Sequence, residues 1–521
     1  MQAKSCTPAT RRAGEREGNP SHSKERPAPK ALRFGERMPQ LYFTDLRALR
    51  RPAIVDSVSL ELPFEIIATA ATFGLIDGMP FILGDDGSYD HDLNRFFRAC
   101  PTMGLRSLNS LRAYARDIVV WLRFLAERRA GKSIWGADRD DIAAFHEARR
   151  LSSPTHRISA SSWNRSVAAL DKLYRWAVEE KLICKAPFTY RQVWTRALDG
   201  STLSVSANMA RESAGRNGDT RFVSLDRYLQ FRDVGLRGRL PDGREDPSWC
   251  GRNGERNALF AELLVTTGLR LQEGSSLLAV ELPSSRPQHH GQRSVAFRLA
   301  SATAKGSKGR DIRLPLRLVK RLRDYIEVER SIATARCRDR QSWMRLDDPI
   351  IVRGHDRQSL RIGEMNPPDR VRFDGIKPGE RFRLLHEDTM EPLALWLTEG
   401  GMPMPMAAWE AVFRRASARC RSFGIDIDVT PHMLRHGFAV HMLTLLLREQ
   451  IGWMLEERVG RMSPAYRRII GDPLLKLQRL MGHSRIESTY IYLDHLDDSQ
   501  ALIDAAVEQW GLDVASVRDA A

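Results

Sequence analysis

The clearest pattern of apolar and polar positions along the chain begins near Ser107. Apolar residues recur there at three- and four-residue intervals, while Arg112, Arg116 and Arg123 fall mostly between them. This spacing matches the period of an α-helix that buries one face. We therefore predict an amphipathic helix whose apolar face carries Leu111, Tyr114, Ile118, Trp121, Leu122 and Leu125.

Two more helices follow in the pattern. Carboxylates at Asp138, Asp140 and Asp141 suit the N-terminus of a helix, because the helix dipole is positive there. The third helix is predicted after residues 161–162, with an apolar face formed by Trp163, Val167, Leu170, Tyr174 and Val178. Together the three helices predict a compact helical domain over residues 105–188.

The flanking segments have weaker patterns. Residues 1–40 mix Arg, Lys, Pro, Ser and Gly without a hydrophobic period, which predicts a flexible basic tail. Residues 41–104 contain short apolar patches broken by an Asp-Asp-Gly turn, which predicts a small appended region. Residues 189–219 include a Ser-rich stretch, which is typical of a linker.

A second domain is predicted over residues 220–510. Its pattern is mainly helical, and a short β-hairpin is predicted where residues 295–299 and 311–314 flank a turn rich in Gly, Ser and Lys. Apolar residues at helical spacing predict a C-terminal amphipathic helix and tail over residues 496–521.

Composition and charge narrow the class of protein. The chain has 521 residues, 42% of them hydrophobic, which predicts two or three globular domains. Lys and Arg number 81 against 65 Asp and Glu, for a formal net charge of +16, so an anionic polymer is the favoured partner and nucleic acid is favoured over a membrane surface. No apolar run is long enough for a bilayer span, and no secretory signal is recognisable, so we expect an intracellular protein. The six cysteines form no Cys-x-x-Cys pair, which argues against zinc, haem or redox chemistry.

Four clusters carry residues suited to phosphoryl transfer. They are residues 267–273 (TGLRLQE), 305–310 (KGSKGR), 431–436 (PHMLRH) and 483–492 (HSRIESTYIY). The residue types and their order resemble the tyrosine recombinase, or phage integrase, family. The resemblance implies a mainly α fold with a small β-hairpin or sheet. A helical core-binding domain would precede a catalytic domain, and the two would form a clamp around DNA.

The first cluster places an arginine after an apolar run. Attack of a tyrosine oxygen on a phosphodiester builds negative charge, which a fixed guanidinium can neutralise with two hydrogen bonds. Gly268 would end the preceding helix. The resemblance implies that Arg270 is the first catalytic arginine and that Glu273 supports it. A surface ion pair is the alternative for these two residues.

The second cluster lies in the predicted hairpin turn. A flexible lysine there could protonate a departing 5′ oxygen. The resemblance assigns this role to Lys305, with Lys308 and Arg310 as contacts to the DNA backbone. Two alternatives stay open: Lys305 and Lys308 could exchange roles, or the turn could be basic without catalytic duty.

In the third cluster, His432 and Arg435 are three residues apart and share one helix face. The resemblance implies that Arg435 is the second catalytic arginine and that His432 assists proton transfer at the tyrosine oxygen, while His436 is structural. The family commonly has a small hydroxyl residue where this chain has Gly437, which puts a supporting hydrogen bond in doubt.

The fourth cluster contains a histidine and two tyrosines. The resemblance implies that His483 donates to a non-bridging phosphate oxygen; a buried core histidine is the alternative reading. Family spacing from the Gly-His pair selects Tyr492 as the nucleophile. Tyr490, two residues earlier, would project from a different face and pack.

Further contacts and insertions are expected from the same resemblance. Arg165, Lys172 and Arg175 on the third predicted helix are candidate DNA contacts, although exposed helix faces are routinely charged. Spacings between the clusters are longer than in compact family members, so we expect insertions near residues 340–405 and 443–472.

The function implied by the resemblance is site-specific recombination, as in DNA integration by a mobile element. Tyr492 would form a 3′-phosphotyrosyl link with double-stranded DNA, without metal or other cofactor, in a homotetramer on paired sites, and accessory recombination proteins are further candidate partners. The expected location is the cytoplasm, on the nucleoid of a bacterium. The alternatives are nicking and resealing of the type IB topoisomerase kind, and a DNA-binding protein whose site has decayed.

Overall fold

The computed structural model describes residues 38–46, 53–55, 58–60, 69, 75–84, 86–155, 157–196, 202–213, 221–286, 290–363, 369–457 and 472–495. The chain divides into two compact units, Met1–Arg216 and Asn217–Ala521. The predicted tail up to residue 37, the predicted C-terminal helix from residue 496 and residues 458–471 of the second expected insertion lie outside the described residues. Along the described part of the chain, no helix combines the length and the apolar character needed to cross a bilayer.

Among its described residues, the first unit has four α-helices, which form its body. Asp138 begins the third one with a capping box, because its carboxylate accepts from the backbone N–H of Asp141 and the Asp141 carboxylate accepts from that of Asp138. The acidic N-terminus predicted for this helix is therefore present. The helices are α1 (His91–Ala99), α2 (Leu108–Arg128), α3 (Arg139–His146), which a π-helical turn at Glu147–Leu151 extends, and α4 (Ala160–Glu179).

Aromatic side chains fill the core between these helices. Trp121 Nε1 donates to the hydroxyl of Tyr174 over 2.8 Å, and that hydroxyl donates to the carbonyl of Ile134 over 2.9 Å. Phe96 and Phe97 of α1 are fully buried in the same core. Residues 91–99 thus pack with the helical domain rather than with a separate appended region, because α1 has an apolar face to bury.

Short antiparallel pairs complete the first unit. The expected linker over residues 189–219 contains a hairpin of two seven-residue strands, with Tyr190 opposite Asn208 and Arg196 opposite Thr202. Its Tyr, Val, Trp and Thr residues favour β-structure, and the Ser-rich composition obscured that signal. The pairs are β1 (Gln40–Phe43) with β4 (Pro80–Leu83), β2 (Ala53–Val55) with β3 (Val58–Leu60), and β5 (Tyr190–Arg196) with β6 (Thr202–Asn208).

The second unit is mainly helical. The helix at Gly254–Thr267 is apolar on most sides, because core residues surround it. Phe260 of this helix stacks on Trp409, with the ring centroids 3.6 Å apart. The helices are α5 (Leu225–Gln230), α6 (Gly254–Thr267), α7 (Leu271–Ser275), α8 (Leu316–Tyr325), α9 (Ser331–Asp339), α10 (Pro378–Arg381), α11 (Met406–Ser422), α12 (Pro431–Glu457), α13 (Pro473–Met481) and α14 (Glu487–Tyr490), with π-helical turns at Phe231–Leu236 and Ile326–Arg330.

Two sheets accompany these helices. The predicted hairpin is present, and its register pairs Leu299 with Arg310 at the turn end. A four-stranded sheet lies within the first expected insertion, where β12 runs parallel to β9 and the other pairs are antiparallel. The strands are β7 (Ser294–Leu299), β8 (Arg310–Pro315), β9 (Ile350–His355), β10 (Ser359–Ile362), β11 (Asp369–Arg372) and β12 (Leu384–His386).

Part of each expected insertion belongs to the main body of the second unit. Trp396 belongs to the main core of the second unit, and its indole N–H donates to the carbonyl of Gly274 over 2.9 Å. The inserted sheet therefore ends before residue 396. In the second expected insertion, residues 443–457 simply continue α12.

We predict that Tyr174→Phe lowers the free energy of unfolding by about 1–3 kcal/mol, because it leaves the buried Trp121 N–H and Ile134 carbonyl without their shared partner. Urea denaturation followed by tryptophan fluorescence measures the loss. Tyr89→Phe is the matched control, since its hydroxyl accepts only at an exposed bond from Arg98. Equal effects of the two substitutions would contradict the prediction.

Candidate active site

Arg270 stands at the junction between α6 and α7. Gly268 ends α6 in the left-handed conformation, with φ +65°, and a Cβ there would lie 2.4 Å from Phe438 Cδ1, so only glycine fits this turn. The Glu273 carboxylate accepts from the Arg270 backbone N–H over 2.8 Å and from its Nη1 over 2.9 Å. The carboxylate thus caps α7 and orients the partly exposed guanidinium at the same time.

Glu273 is also bound by Arg310. Arg310 Nη1 and Nη2 donate to the two carboxylate oxygens over 2.9 and 2.8 Å. Burial opposes ionisation of Glu273, but the ion pair with Arg310 and the Arg270 N–H outweigh it and lower the pKa of this carboxyl to about 2. Glu273 is therefore a buried carboxylate that connects two arginines.

The expectation that Arg310 contacts the DNA backbone is corrected by this geometry. Arg310 is 8% exposed, and its Nε donates to the carbonyl of Leu480 over 2.9 Å, so every guanidinium nitrogen has a protein partner. It shares the buried face of β8 with Ile312 and Leu314. That alternation is visible in the sequence and could have predicted an inward-facing arginine.

Arg435 joins the ends of two helices. It is 2% exposed, and its guanidinium donates to the carbonyl of Gly268 at the end of α6 and, over 2.6 Å, to the carbonyl of Met481 at the end of α13. Burial and the nearby Arg270 lower the pKa of Arg435, yet a guanidinium remains protonated at neutral pH. A fixed positive charge therefore lies between the segments that carry Arg270 and His483.

His436, which the motif resemblance implied to be structural, contacts the predicted nucleophile instead. Its Nδ1 lies 3.0 Å from the hydroxyl oxygen of Tyr492, and burial, followed by His432 and Arg435, lowers its pKa to about 4. The ring of His432, one turn earlier and exposed, is centred 4.2 Å from that of His436. The four-residue spacing of the two histidines on one helix face was the available signal.

Gly437 accommodates a close backbone contact. A Cβ at this position would lie 3.0 Å from the carbonyl oxygen of Val223. The carbonyl of Val223 thus narrows the space that a side chain at residue 437 would occupy.

His483 follows the C-terminus of α13. Gly482 ends the helix with φ +64°, and His483 Nδ1 lies 3.0 Å from the hydroxyl of Thr489. Burial, followed by Arg435 and Arg270, lowers the pKa of His483 to about 4. Its imidazole is therefore neutral at pH 7, and its ring lies parallel to that of Tyr492 with the centroids 6.1 Å apart.

The two tyrosines occupy different environments. Tyr492 is 1% exposed and packs with Phe438, Leu443 and Leu477, whereas Tyr490 is 47% exposed. Burial raises the pKa of Tyr492 to about 12, although Arg435 and Arg270 act in the opposite direction. The hydroxyl therefore carries its proton at neutral pH, next to an imidazole that can accept it.

Lys305 lies in the turn between β7 and β8 and is exposed, as is Lys308. Burial lowers the pKa of His432, and the positive charges of Arg435, Arg270 and Lys305 lower it further. Lys305 is thus close enough to the histidine and arginine cluster to act on it electrostatically.

The candidate DNA contacts of the first unit all have protein partners. Arg165 forms two hydrogen bonds with Asp117, of 2.8 and 3.1 Å, and Arg175 lies 3.1 Å from Asp171. Lys172 Nζ donates to the carbonyl of Met103 over 2.9 Å. These bonds fix the side chains within their own domain, so a phosphate contact would have to share or replace them.

The second unit therefore collects two guanidinium groups, three imidazoles and a buried tyrosine hydroxyl on the adjoining ends of α6, α7, α12, α13 and α14. Positive charge and hydrogen-bond donors beside a hydroxyl with an adjacent base are what transfer of a phosphoryl group to that hydroxyl requires. Among the described residues, no group of three or more His, Cys, Asp or Glu side chains could hold a metal ion.

Known proteins resemble this chain in sequence. Residues 93–181 match the family model "Phage integrase, N-terminal SAM-like domain". An integrase/recombinase of Escherichia coli is 27% identical over 235 residues, which cover 45% of this chain and 53% of the relative, so the chain spans about half the length of that relative. The tyrosine recombinase XerC of Bifidobacterium longum is 22% identical over 427 residues, which cover 78% of this chain and 93% of the relative.

Among solved structures, the XerH site-specific recombinase bound to palindromic difH substrate is similar with a TM-score of 0.45 and 13% identity, covering 88% of this chain and 93% of that one. The sequence relatives are named as integrases and recombinases, and the clustered side chains are those that the four motifs predict to lie together. These sequence matches confirm the resemblance of the four motifs to the tyrosine recombinase, or phage integrase, family.

We predict that His436 makes stability depend on pH. Because folding lowers its pKa from 6.5 to about 4, the unfolded chain binds this proton more readily between those values. The stabilisation is therefore complete above pH 6.5 and is lost as the pH falls towards 4. Between pH 7 and 5, the melting temperature of the wild type should fall by about 2 °C more than that of His436→Gln. Parallel decreases measured by calorimetry would contradict this.

Proposed function

We propose that the chain is a site-specific DNA recombinase that cuts and rejoins double-stranded DNA through a covalent 3′-phosphotyrosyl intermediate. The observation that carries the proposal is the 3.0 Å contact between Tyr492 Oη and His436 Nδ1 beside Arg270 and Arg435. A buried tyrosine that only packed would need neither the adjacent base nor the two nearby cations. The relatives named integrase/recombinase and tyrosine recombinase support cleavage and rejoining of DNA as the activity.

In the cleavage step, the Tyr492 oxygen attacks the phosphorus and its proton passes to His436 Nδ1. A bond forms between this oxygen and phosphorus, and the bond from phosphorus to the 5′ oxygen breaks. His432, whose ring contacts that of His436, assists removal of the proton. Because the pKa of Tyr492 is about 12, the hydroxyl must lose its proton to a base during attack.

Charge on the phosphate is stabilised by Arg270, Arg435 and His483. Each guanidinium has five N–H donors, and the bonds to Glu273 or to backbone carbonyls leave donors on both for the phosphate oxygens. Lys305 protonates the departing 5′ oxygen. That hydroxyl later attacks the equivalent phosphotyrosyl link on another strand, so the bond energy is conserved without ATP.

The wider roles follow from this chemistry. Strand exchange needs paired sites, so we propose a homotetramer on DNA, acting on the bacterial nucleoid in the cytoplasm; the bacterial origin of the relatives supports this location. The helical domain over residues 105–188, which overlaps the matched SAM-like segment, is the proposed core-binding domain. Relaxation of supercoils without strand exchange would favour topoisomerase-like activity instead.

We predict that a nicked suicide DNA substrate traps a covalent adduct with the wild type and with Tyr490→Phe, but not with Tyr492→Phe. Only Tyr492 is placed against a base, and Tyr490→Phe is the matched control at an exposed tyrosine. Denaturing gel electrophoresis detects the adduct. An adduct with Tyr492→Phe would overturn the assignment of the nucleophile. DNA binding by a folded wild type without adduct would indicate a decayed site.

We predict that Lys305→Ala slows cleavage of an ordinary phosphodiester by about 10²- to 10⁴-fold, the usual contribution of a general acid. A substrate with a 5′-thiolate leaving group, which needs no proton, should restore the rate to within about twofold of that of the wild type. Lys308→Ala is the control on the same turn. If the 5′-thiolate substrate restored cleavage by Lys308→Ala but not by Lys305→Ala, Lys308 rather than Lys305 would be the general acid.

A further inference from the structure

The sheet of β9–β12 contacts the turn that carries Lys305. Asp374 follows β11, and its Oδ1 accepts from the backbone N–H of Ser301 over 2.9 Å. The Ser301 hydroxyl lies 2.5 Å from Asp374 Oδ2 and 3.1 Å from the Asp374 carbonyl oxygen. An inserted element thus accepts hydrogen bonds from both the backbone N–H and the hydroxyl of one residue in the segment between β7 and β8.

The bonds at Ser301 also restrict the position of Lys305, because hydrogen bonds within the backbone connect the short segment between the two residues. The backbone N–H of Ala304 donates to the carbonyl of Ser301 over 3.1 Å, which fixes the residue just before Lys305. Gln272 of α7 donates to the carbonyl of Thr303 over 3.3 Å. The Lys305 side chain is exposed, so its backbone position depends on these contacts at the start of the turn.

Asp374 is itself held in place by a buried arginine. Arg381 is 2% exposed and donates to the carbonyl of Phe373 over 2.7 Å and to that of Ser276 over 3.2 Å. Its guanidinium also forms two bonds with Glu281, of 2.6 and 2.9 Å. Because Ser276 directly follows α7, the inserted sheet is fixed to the C-terminal end of the helix whose N-cap is Arg270.

We propose that Asp374 is a positioning residue that sets the place of Lys305 relative to Arg270. The inference rests on the proposed function, because it assumes that Lys305 protonates the leaving group. A lysine on a loose turn spends little time at the departing oxygen, and general acid catalysis requires hydrogen-bond reach. The inserted sheet would therefore contribute to the cleavage rate without touching DNA.

The test measures adduct formation by Asp374→Ala on two suicide substrates, one with the ordinary 5′ oxygen and one with a 5′-thiolate leaving group. We expect cleavage of the ordinary substrate to fall by about 10- to 100-fold, less than for Lys305→Ala, because the acid is misplaced rather than absent. Cleavage of the thiolate substrate should stay within about twofold of the wild type. Ser301→Thr, which keeps the hydroxyl and the backbone bond, should retain most of the rate.

Asp369→Ala is the matched control, because Asp369 is an exposed carboxylate of the same sheet. It should cleave both substrates at the wild-type rate. Equal slowing of both substrates by Asp374→Ala would mean that the contact serves only folding, and wild-type rates on both would mean that it has no role; either result overturns the inference. Failure of the wild type to form any adduct would instead overturn the proposed function.

Discussion

The candidate active site depends on the ion pairs and hydrogen bonds of one buried carboxylate, that of Glu273. An ionised carboxylate that is 1% exposed would be strongly destabilising without compensation, and here two arginines and a backbone N–H provide it. Through Arg270 the carboxylate fixes the start of α7. Through Arg310, which also binds the carbonyl of Leu480, it fixes β8 and the end of α13.

The buried guanidinium of Arg435 also connects two segments of the candidate site. The carbonyl ends of α6 and α13 both carry partial negative charge, and one buried guanidinium satisfies a carbonyl at each. The group that would neutralise a phosphate therefore also holds the helix ends in place. Replacing this guanidinium would remove the bonds to the two helix ends as well as the charge that faces a phosphate. Arg435→Lys is therefore not a conservative change, because a single ammonium cannot reproduce the planar set of donors.

The sequence carried enough to predict the elements with strong periodicity. The helix α2 follows from its apolar stripe, and the hairpin of β7 and β8 follows from two short strands around a Gly-rich turn. The convergence of Arg270, His432, Arg435, His483 and Tyr492 in one unit agrees with the motifs.

The remaining features depend on contacts that are distant in the chain. The inward direction of Arg310 is set by a carboxylate 37 residues earlier, and the contact of His436 with Tyr492 spans 56 residues. The hairpin of β5 and β6 was hidden by Ser-rich composition. In the inserted region, Trp396 packs in the main core of the second unit. An apolar residue near a Pro- and Gly-rich stretch does not by itself predict that contact.

The neutral imidazoles of His436 and His483 have a thermodynamic consequence for the proposed binding of DNA. Both pKa values are near 4 because the histidines are buried beside guanidinium charges. A phosphodiester placed among these groups brings a negative charge, which raises the pKa of each imidazole. Binding is then linked to proton uptake, so affinity for DNA should increase as the pH is lowered from 7 towards 5, to an extent that titrations in buffers of different ionisation enthalpy would reveal. An affinity independent of pH over this range would show that the phosphate lies away from both rings.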